Sequence, residues 1–183
     1  GHYDYLATSF GATSDLVSFW QNNKFNLSHI GSQRDQSSGC HALLMVQPLS
    51  DASKLWASGL QLNFSACLGY LFSSTLRELE PDMVRILCRY FPLKEKGTLN
   101  VSLILNYING GNGFDSVAYL IELLIVSLSN DELDNVSDLM IRKVIQKWSW
   151  AKCVSNLALV GRKQAEAQLR ADVSILMKDL HCK

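Results

Sequence analysis

The chain has 183 residues, 48% of them apolar and 19% charged, with three prolines, a composition that excludes a disordered tail and indicates a packed core. A chain of this length buries enough surface to fold without disulfides or a structural metal. The formal net charge of zero conceals a division: residues 1–141 carry 8 Lys/Arg against 14 Asp/Glu, whereas residues 142–183 carry 9 against 3. The two ends therefore offer different surfaces to partners.

Cys40, Cys67, Cys88, Cys153 and Cys182 are scattered and odd in number, so they do not form a complete set of intrachain bridges. That favours a reducing setting inside the cell, nucleus or cytoplasm. The Asn-x-Ser sequons at Asn26, Asn63, Asn100 and Asn135 argue the other way. Asn63 and Asn100, however, abut apolar runs that read as buried, where a glycan does not fit. The chain shows no basic segment followed by a short apolar one, so no signal peptide is read. The most apolar run, residues 117–128, is too short to span a bilayer and contains Glu122. It reads as a central core helix, and no membrane is expected.

In chain order, Thr13 or Ser14 caps a first helix carrying Leu16, Val17, Phe19 and Trp20. Residues 29–39 are small and polar and read as a mobile loop ending near Cys40. Residues 41–47 form a short apolar run stopped by Pro48. Ser50 or Asp51 then caps a helix with Leu55, Trp56 and Leu60, followed by a longer one with Phe64, Leu68, Leu71, Phe72 and Leu76 at helical spacing.

Glu80-Pro81-Asp82 restarts a helix, since proline at the first helical position loses no hydrogen bond and acids suit the positive end of the helix dipole. Residues 99–108 carry both a strand alternation and a helical face. Helix is favoured, because no second strand is evident to satisfy a lone one. The turn 109–113 is rich in glycine. Beyond it come a helix to Leu128, another over residues 133–148 with Val136, Met140, Val144 and Trp148 in register, and a last one with Leu169, Val173, Leu176, Met177 and Leu180 on one stripe.

An internal echo places Gly69-Tyr70-Leu71 and Ala118-Tyr119-Leu120 at matching positions, an offset close to a two-helix repeat unit. The fold expected is all-α over residues 1–183 as a single domain. It is either antiparallel helical hairpins in a HEAT/armadillo-like solenoid fragment or an irregular helical bundle.

Motif chemistry is sparse. There is no G-x-S-x-G, no phosphate-binding G-x-x-x-x-G-K-[ST], no H-E-x-x-H and no C-x-x-C. The Cys40-His41 and His181-Cys182 pairs recommend neither zinc nor a catalytic thiol, because adjacent residues rarely chelate together and nothing marks these thiols as activated. The turn at 110–113 reads as a flexible connection. Catalytic residues, metal, cofactor and small-molecule substrate are all expected to be absent.

The constellation that stands out is Arg142, Lys143, Lys147, Trp148, Trp150, Lys152, Arg162 and Lys163, cations interleaved with two indoles. Trp148 falls in the apolar register and reads as core. Arg142, Lys143, Lys147, Trp150, Lys152, Arg162 and Lys163 are the candidate contact residues. The function expected is a non-enzymatic interaction or scaffold module, a subunit of a homo- or hetero-oligomer with a protein partner. The alternative is a nucleic-acid-binding helical domain, nucleocapsid-type or chromatin-associated, that uses this basic face.

Overall fold

The computed structural model describes residues 2–91 and 100–181, and the expectation of an all-α fold is wrong. The architecture is mixed α/β, with a three-stranded antiparallel sheet. The chain falls into two compact units, one running to Leu71 and including Tyr90 and Phe91, the other comprising Phe72–Arg89 and the described chain from Asn100 onward.

In the first unit, β1 (Tyr5–Gly11) leads into α1 (Ser14–Asn22), then β2 (Asn26–Arg34) and β3 (His41–Pro48), with the strand order β1-β3-β2. Thr13 caps α1 by accepting from the Leu16 amide. Lys24, at a left-handed φ of 67°, turns the chain from α1 into β2. The segment read as a loop from residue 29 is strand as far as Arg34, and only the tip beyond it is a turn.

Asp35 builds that tip. One carboxylate oxygen accepts from the hydroxyls and backbone amides of Ser37 and Ser38, and Gly39 supplies the left-handed φ of 68°. Those hydrogen bonds, the Ser37 hydroxyl first, pull the Asp35 pKa down to about 2. The run 41–47 is the central strand, with Leu43, Met45 and Val46 buried beside Val17, Phe25, Leu27 and Ile30. Trp20 fills the α1 side between Phe10, Phe19 and Phe25.

The long helix α2 (Asp51–Ser73) is continuous where the sequence suggested two. Ser53, fully buried, anchors its start by donating to the Asp4 carbonyl at 2.6 Å. All four sequon asparagines are exposed, Asn63 and Asn100 against the expectation that their apolar neighbours bury them.

The second unit is helical: α3 (Pro81–Cys88), α4 (Val101–Ile108), a 3-10 turn (Phe114–Ser116), α5 (Ala118–Val126), α6 (Asn130–Leu133), α7 (Asp138–Met140) running into a π-helical segment (Ile141–Ile145), α8 (Trp150–Asn156) and α9 (Arg162–His181). Residues 101–108 are helical as favoured, with the Asn100 side chain accepting from the Leu103 amide. The repeat expectation fails. The first echo lies within the 23-residue α2 and the second opens the 9-residue α5, which are not equivalent hairpins.

Ile104, Tyr107, Ile121, Leu124, Ile125, Leu169 and Val173 are fully or almost fully buried in this unit. Arg85 is buried too. Its guanidinium donates twice to the Val136 carbonyl, at 2.9 and 2.6 Å, and pairs with Asp82 and Asp138, so that α3 and the approach to α7 are fixed together. No helix among the described residues is long and apolar enough to cross a membrane.

Candidate nucleic-acid interface

The geometry of the basic-aromatic constellation begins with an irregularity of the helix that carries it. Ser137 caps α7 by accepting from the Met140 amide, and over Ile141–Ile145 the winding widens to π. Lys147 then adopts a left-handed φ of 57°, and the Trp148 amide bonds back to the Arg142 carbonyl at 3.0 Å. Ser149 caps the next helix by accepting from the Lys152 amide. Lys143 and Lys147, one turn apart on a regular α-helix, are thereby sent to different surroundings.

Trp148 is 3% exposed and donates its indole N–H to the Arg77 carbonyl at 2.7 Å. Arg142 and Lys152 lie over its ring, at 4.3 and 4.2 Å from the centroid. Arg142, itself buried, donates to the Leu79 carbonyl, the Gln146 side chain and Glu80. Gln146 donates to the carbonyls of Leu76 and Leu79. This network ties the carbonyls of Leu76 and Leu79, the two buried residues of the connection between α2 and α3, to Arg142 and Gln146. Lys152 pairs with Glu78 and Lys147 with Glu122. Three of the seven predicted contact residues, Arg142, Lys147 and Lys152, are therefore engaged in holding the unit together.

Trp150, two residues on, is half-buried. Phe114 meets it edge to face at 5.4 Å, and Tyr107 lies 6.5 Å beyond Phe114, fully buried. Cations alternate with these rings. Arg170 sits 5.1 Å from the Tyr107 centroid, Lys143 lies 5.1 Å from Phe114 and 4.8 Å from Trp150, and Arg162 is 6.0 Å from Trp150.

The Lys143 ammonium donates to the Trp148 carbonyl at 2.8 Å, and burial holds its pKa below the ordinary lysine value. Arg162 is two-thirds exposed in an i,i+4 pair with Glu166, and Lys163 is exposed beside it. The ladder thus runs from a buried end at Tyr107 to a solvent-facing end at Trp150, Arg162 and Lys163. Burial pushes the Tyr107 phenol up to about 12, and its hydroxyl has no partner among the described residues.

Lys143, Trp150 and Arg162 of the predicted set come together, and Lys163 is exposed next to Arg162 in the chain. Phe114, Tyr107 and Arg170 join them without having been singled out. The turn 109–113 carried the missed signal, since it ends on an aromatic residue and delivers Phe114 to the cluster. His41, of the Cys40-His41 pair, is buried, with Nδ1 donating to the Gly31 carbonyl at 2.8 Å, so its imidazole is a structural tie. Cys182 lies outside the described residues. No cluster of three metal-ligating side chains occurs among the described residues.

The family model GNAT acetyltransferase 2 matches residues 1–50. The tRNA(Met) cytidine acetyltransferase TmcA of Vibrio cholerae is 35% identical over 182 residues, the whole of this chain but 25% of that protein. The enzyme of the same name from Haloarcula marismortui is 27% identical over 97% of this chain and 24% of its own length. That of Salmonella typhimurium is 49% identical over 51 residues, which is 28% of this chain and 8% of the relative.

The chain spans about a quarter of the length of the curated relatives it matches. These findings overturn three expectations together: a non-enzymatic scaffold, the absence of an enzyme and a HEAT-like repeat. Similarity to acetyltransferases runs through the sheet unit and the helical unit alike, which a free-standing interaction module does not account for.

Proposed function

We propose that this chain is one segment of an RNA-modifying acetyltransferase that transfers an acetyl group, with acetyl-CoA as the donor, to cytidine of tRNA(Met). The observation that carries this reading is the 35% identity, over the whole of this chain, to a quarter of the Vibrio cholerae enzyme, joined to the acetyltransferase family match over residues 1–50. Such an enzyme works where its tRNA is, inside the cell.

The chain's own residues suggest how it takes part. In the first unit, the β1 residues Tyr5, Leu6 and Ala7 are exposed, and β1 pairs on one side only among the described residues, as befits part of a larger sheet. In the second unit, the solvent-facing end of the aromatic-cation ladder supplies positive charge and ring faces, the two features that bind RNA strands. The chemical step itself is assigned to no residue of this chain.

A chimera tests the reading. This chain replaces the aligned quarter of the Vibrio cholerae enzyme, and acetylation of tRNA(Met) cytidine is measured by mass spectrometry of digested tRNA. Retained acetylation supports the assignment. A folded chimera that acetylates no cytidine, beside an active parent, overturns it.

A further inference from the structure

We infer that Phe114 and Trp150, with Lys143 between them and Arg162 and Lys163 at the rim, form a seat for an unpaired nucleotide of RNA, a base stacking on the rings while the cations meet the flanking phosphates. The inference rests on the RNA-modifying reading above and gives the helical unit a specific contact.

The rings are inclined at 75° with centroids 5.4 Å apart, so the edge of one meets the face of the other and they make an open corner, not a closed stack. Both are half-buried, which fixes their orientation and leaves area for a ligand. The turn leading to Phe114 is open at Gly110 and Gly113, while Gly111 packs against the Asn106 side chain. Gly110 has a left-handed φ of 82°, and a Cβ built on Gly110 or Gly113 would meet nothing within 4 Å. A sugar-phosphate backbone can therefore approach closely there.

Charge favours the same ligand. Lys143 lies by both rings and Arg162 by Trp150, with exposed Lys163 next to Arg162 in the chain and Arg170 over the adjoining Tyr107, against Asp115 and Glu166. The Arg162–Glu166 pair is exposed, and pairs of that kind are weak enough for a phosphate to displace. Two rings offer too little apolar area for a stable protein interface, which needs about 800 Å² on each partner. A base in a duplex is stacked on both faces, so the partner is a single-stranded segment.

The experiment uses the full 183-residue chain and a short single-stranded RNA, read by fluorescence anisotropy of the RNA and by tryptophan emission. Binding is expected to quench tryptophan emission. In Trp150→Leu affinity falls about tenfold or more, the loss typical of one stacked base. Trp150→Phe restores most of the affinity without the quench, and Arg162→Glu with Lys163→Glu weakens binding and flattens its salt dependence. If Trp150→Leu does not fold, the Trp150→Phe quench and the charge-reversal pair carry the test.

Absence of RNA binding by the wild-type chain overturns the inference. So does unchanged affinity and quench in the Trp150 variants, or equal competition by duplex RNA, or displacement of the RNA by an acidic polypeptide that binds more tightly. A wild-type chimera that acetylates tRNA beside unaffected Trp150 variants sinks the seat alone. A seat that binds RNA in a chimera that acetylates no cytidine sinks the enzymatic reading alone.

Discussion

Trp148 and Trp150 are two residues apart and each has two cations over or beside its ring, yet they belong to different kinds of site. Trp148 is buried, its N–H is satisfied by the Arg77 carbonyl, and Arg142 beside it closes carbonyls of the α2–α3 connection. Trp150 is half-buried, its loosest cation stands at 6.0 Å, and the rim of its cluster is solvent. Composition therefore does not distinguish a cation-aromatic cluster that serves the fold from one free to serve a ligand. What distinguishes them is burial: Arg142 is buried against the Leu79 carbonyl beside a buried ring, whereas Arg162 is two-thirds exposed beside a half-buried one, and Lys143, although it donates to the Trp148 carbonyl, is only partly buried.

The sharpest way to break this contrast is truncation. Trp148→Ala is expected to destabilise the chain by about 3–5 kcal/mol, as deletion of a buried aromatic does. Trp150→Ala should cost clearly less. Chemical denaturation of both variants measures it, and equal losses would refute the division. Arg142→Ala follows at about 2–3 kcal/mol, since it strands the Trp148 network while Glu80 remains solvated. Its unfolding midpoint, compared with that of Lys152→Ala, shows whether the buried guanidinium outweighs the more exposed ammonium.

The buried end of the Trp150 ladder gives a pH test. The Tyr107 phenol titrates near 12 in the folded chain and near 10 when unfolded, so above pH 10 the unfolded state loses its proton first. The stabilisation is complete below pH 10 and is lost as pH rises toward 12, with a magnitude of about 3 kcal/mol. Tyr107→Phe should flatten that fall in the pH dependence of the denaturation midpoint, at little cost at neutral pH because the hydroxyl has no partner among the described residues.

Smallest in energy is the rim. Arg162→Glu with Lys163→Glu should move stability by no more than about 0.5 kcal/mol, in contrast to Arg142. A larger loss by thermal denaturation would place the rim within the fold. Thiol labelling sharpens the map further. Burial raises the Cys88 and Cys153 pKa values, whereas Cys67 is exposed, so alkylation followed by peptide mapping should modify Cys67 in the native chain and spare the other two.

The helical unit was legible in the sequence because its signals are local. Pro81 after Glu80 and the Leu169–Val173–Leu176 stripe each rest on residues within a few positions of one another, and each marks an element that is present. The sheet was not legible. In β1 most residues are exposed, and in β2 only Leu27, Ser28 and Ile30 are buried, so neither strand has the clean alternation of a half-buried strand. β3 read as a stray apolar run. Of its two partners, β1 is separated from it in the sequence by α1 and β2, and β2, although joined to it by the short turn after Arg34, pairs through two register shifts that blur the pattern.

The sequence by itself determined where some helices of the second unit begin, as at Pro81, which stripe α9 buries and that cations and indoles concentrate beyond residue 141, because caps, periodicity and composition are properties of neighbouring residues. The single helix expected over residues 133–148 is instead the end of α6, then α7 and a π-helical segment. Tertiary structure alone decided that three strands form a sheet and which cations are buried. Pairing across a sheet, the π-helical widening before Lys147 and the donation of Arg142 to the Leu79 carbonyl, 63 residues away, join groups that no local pattern connects.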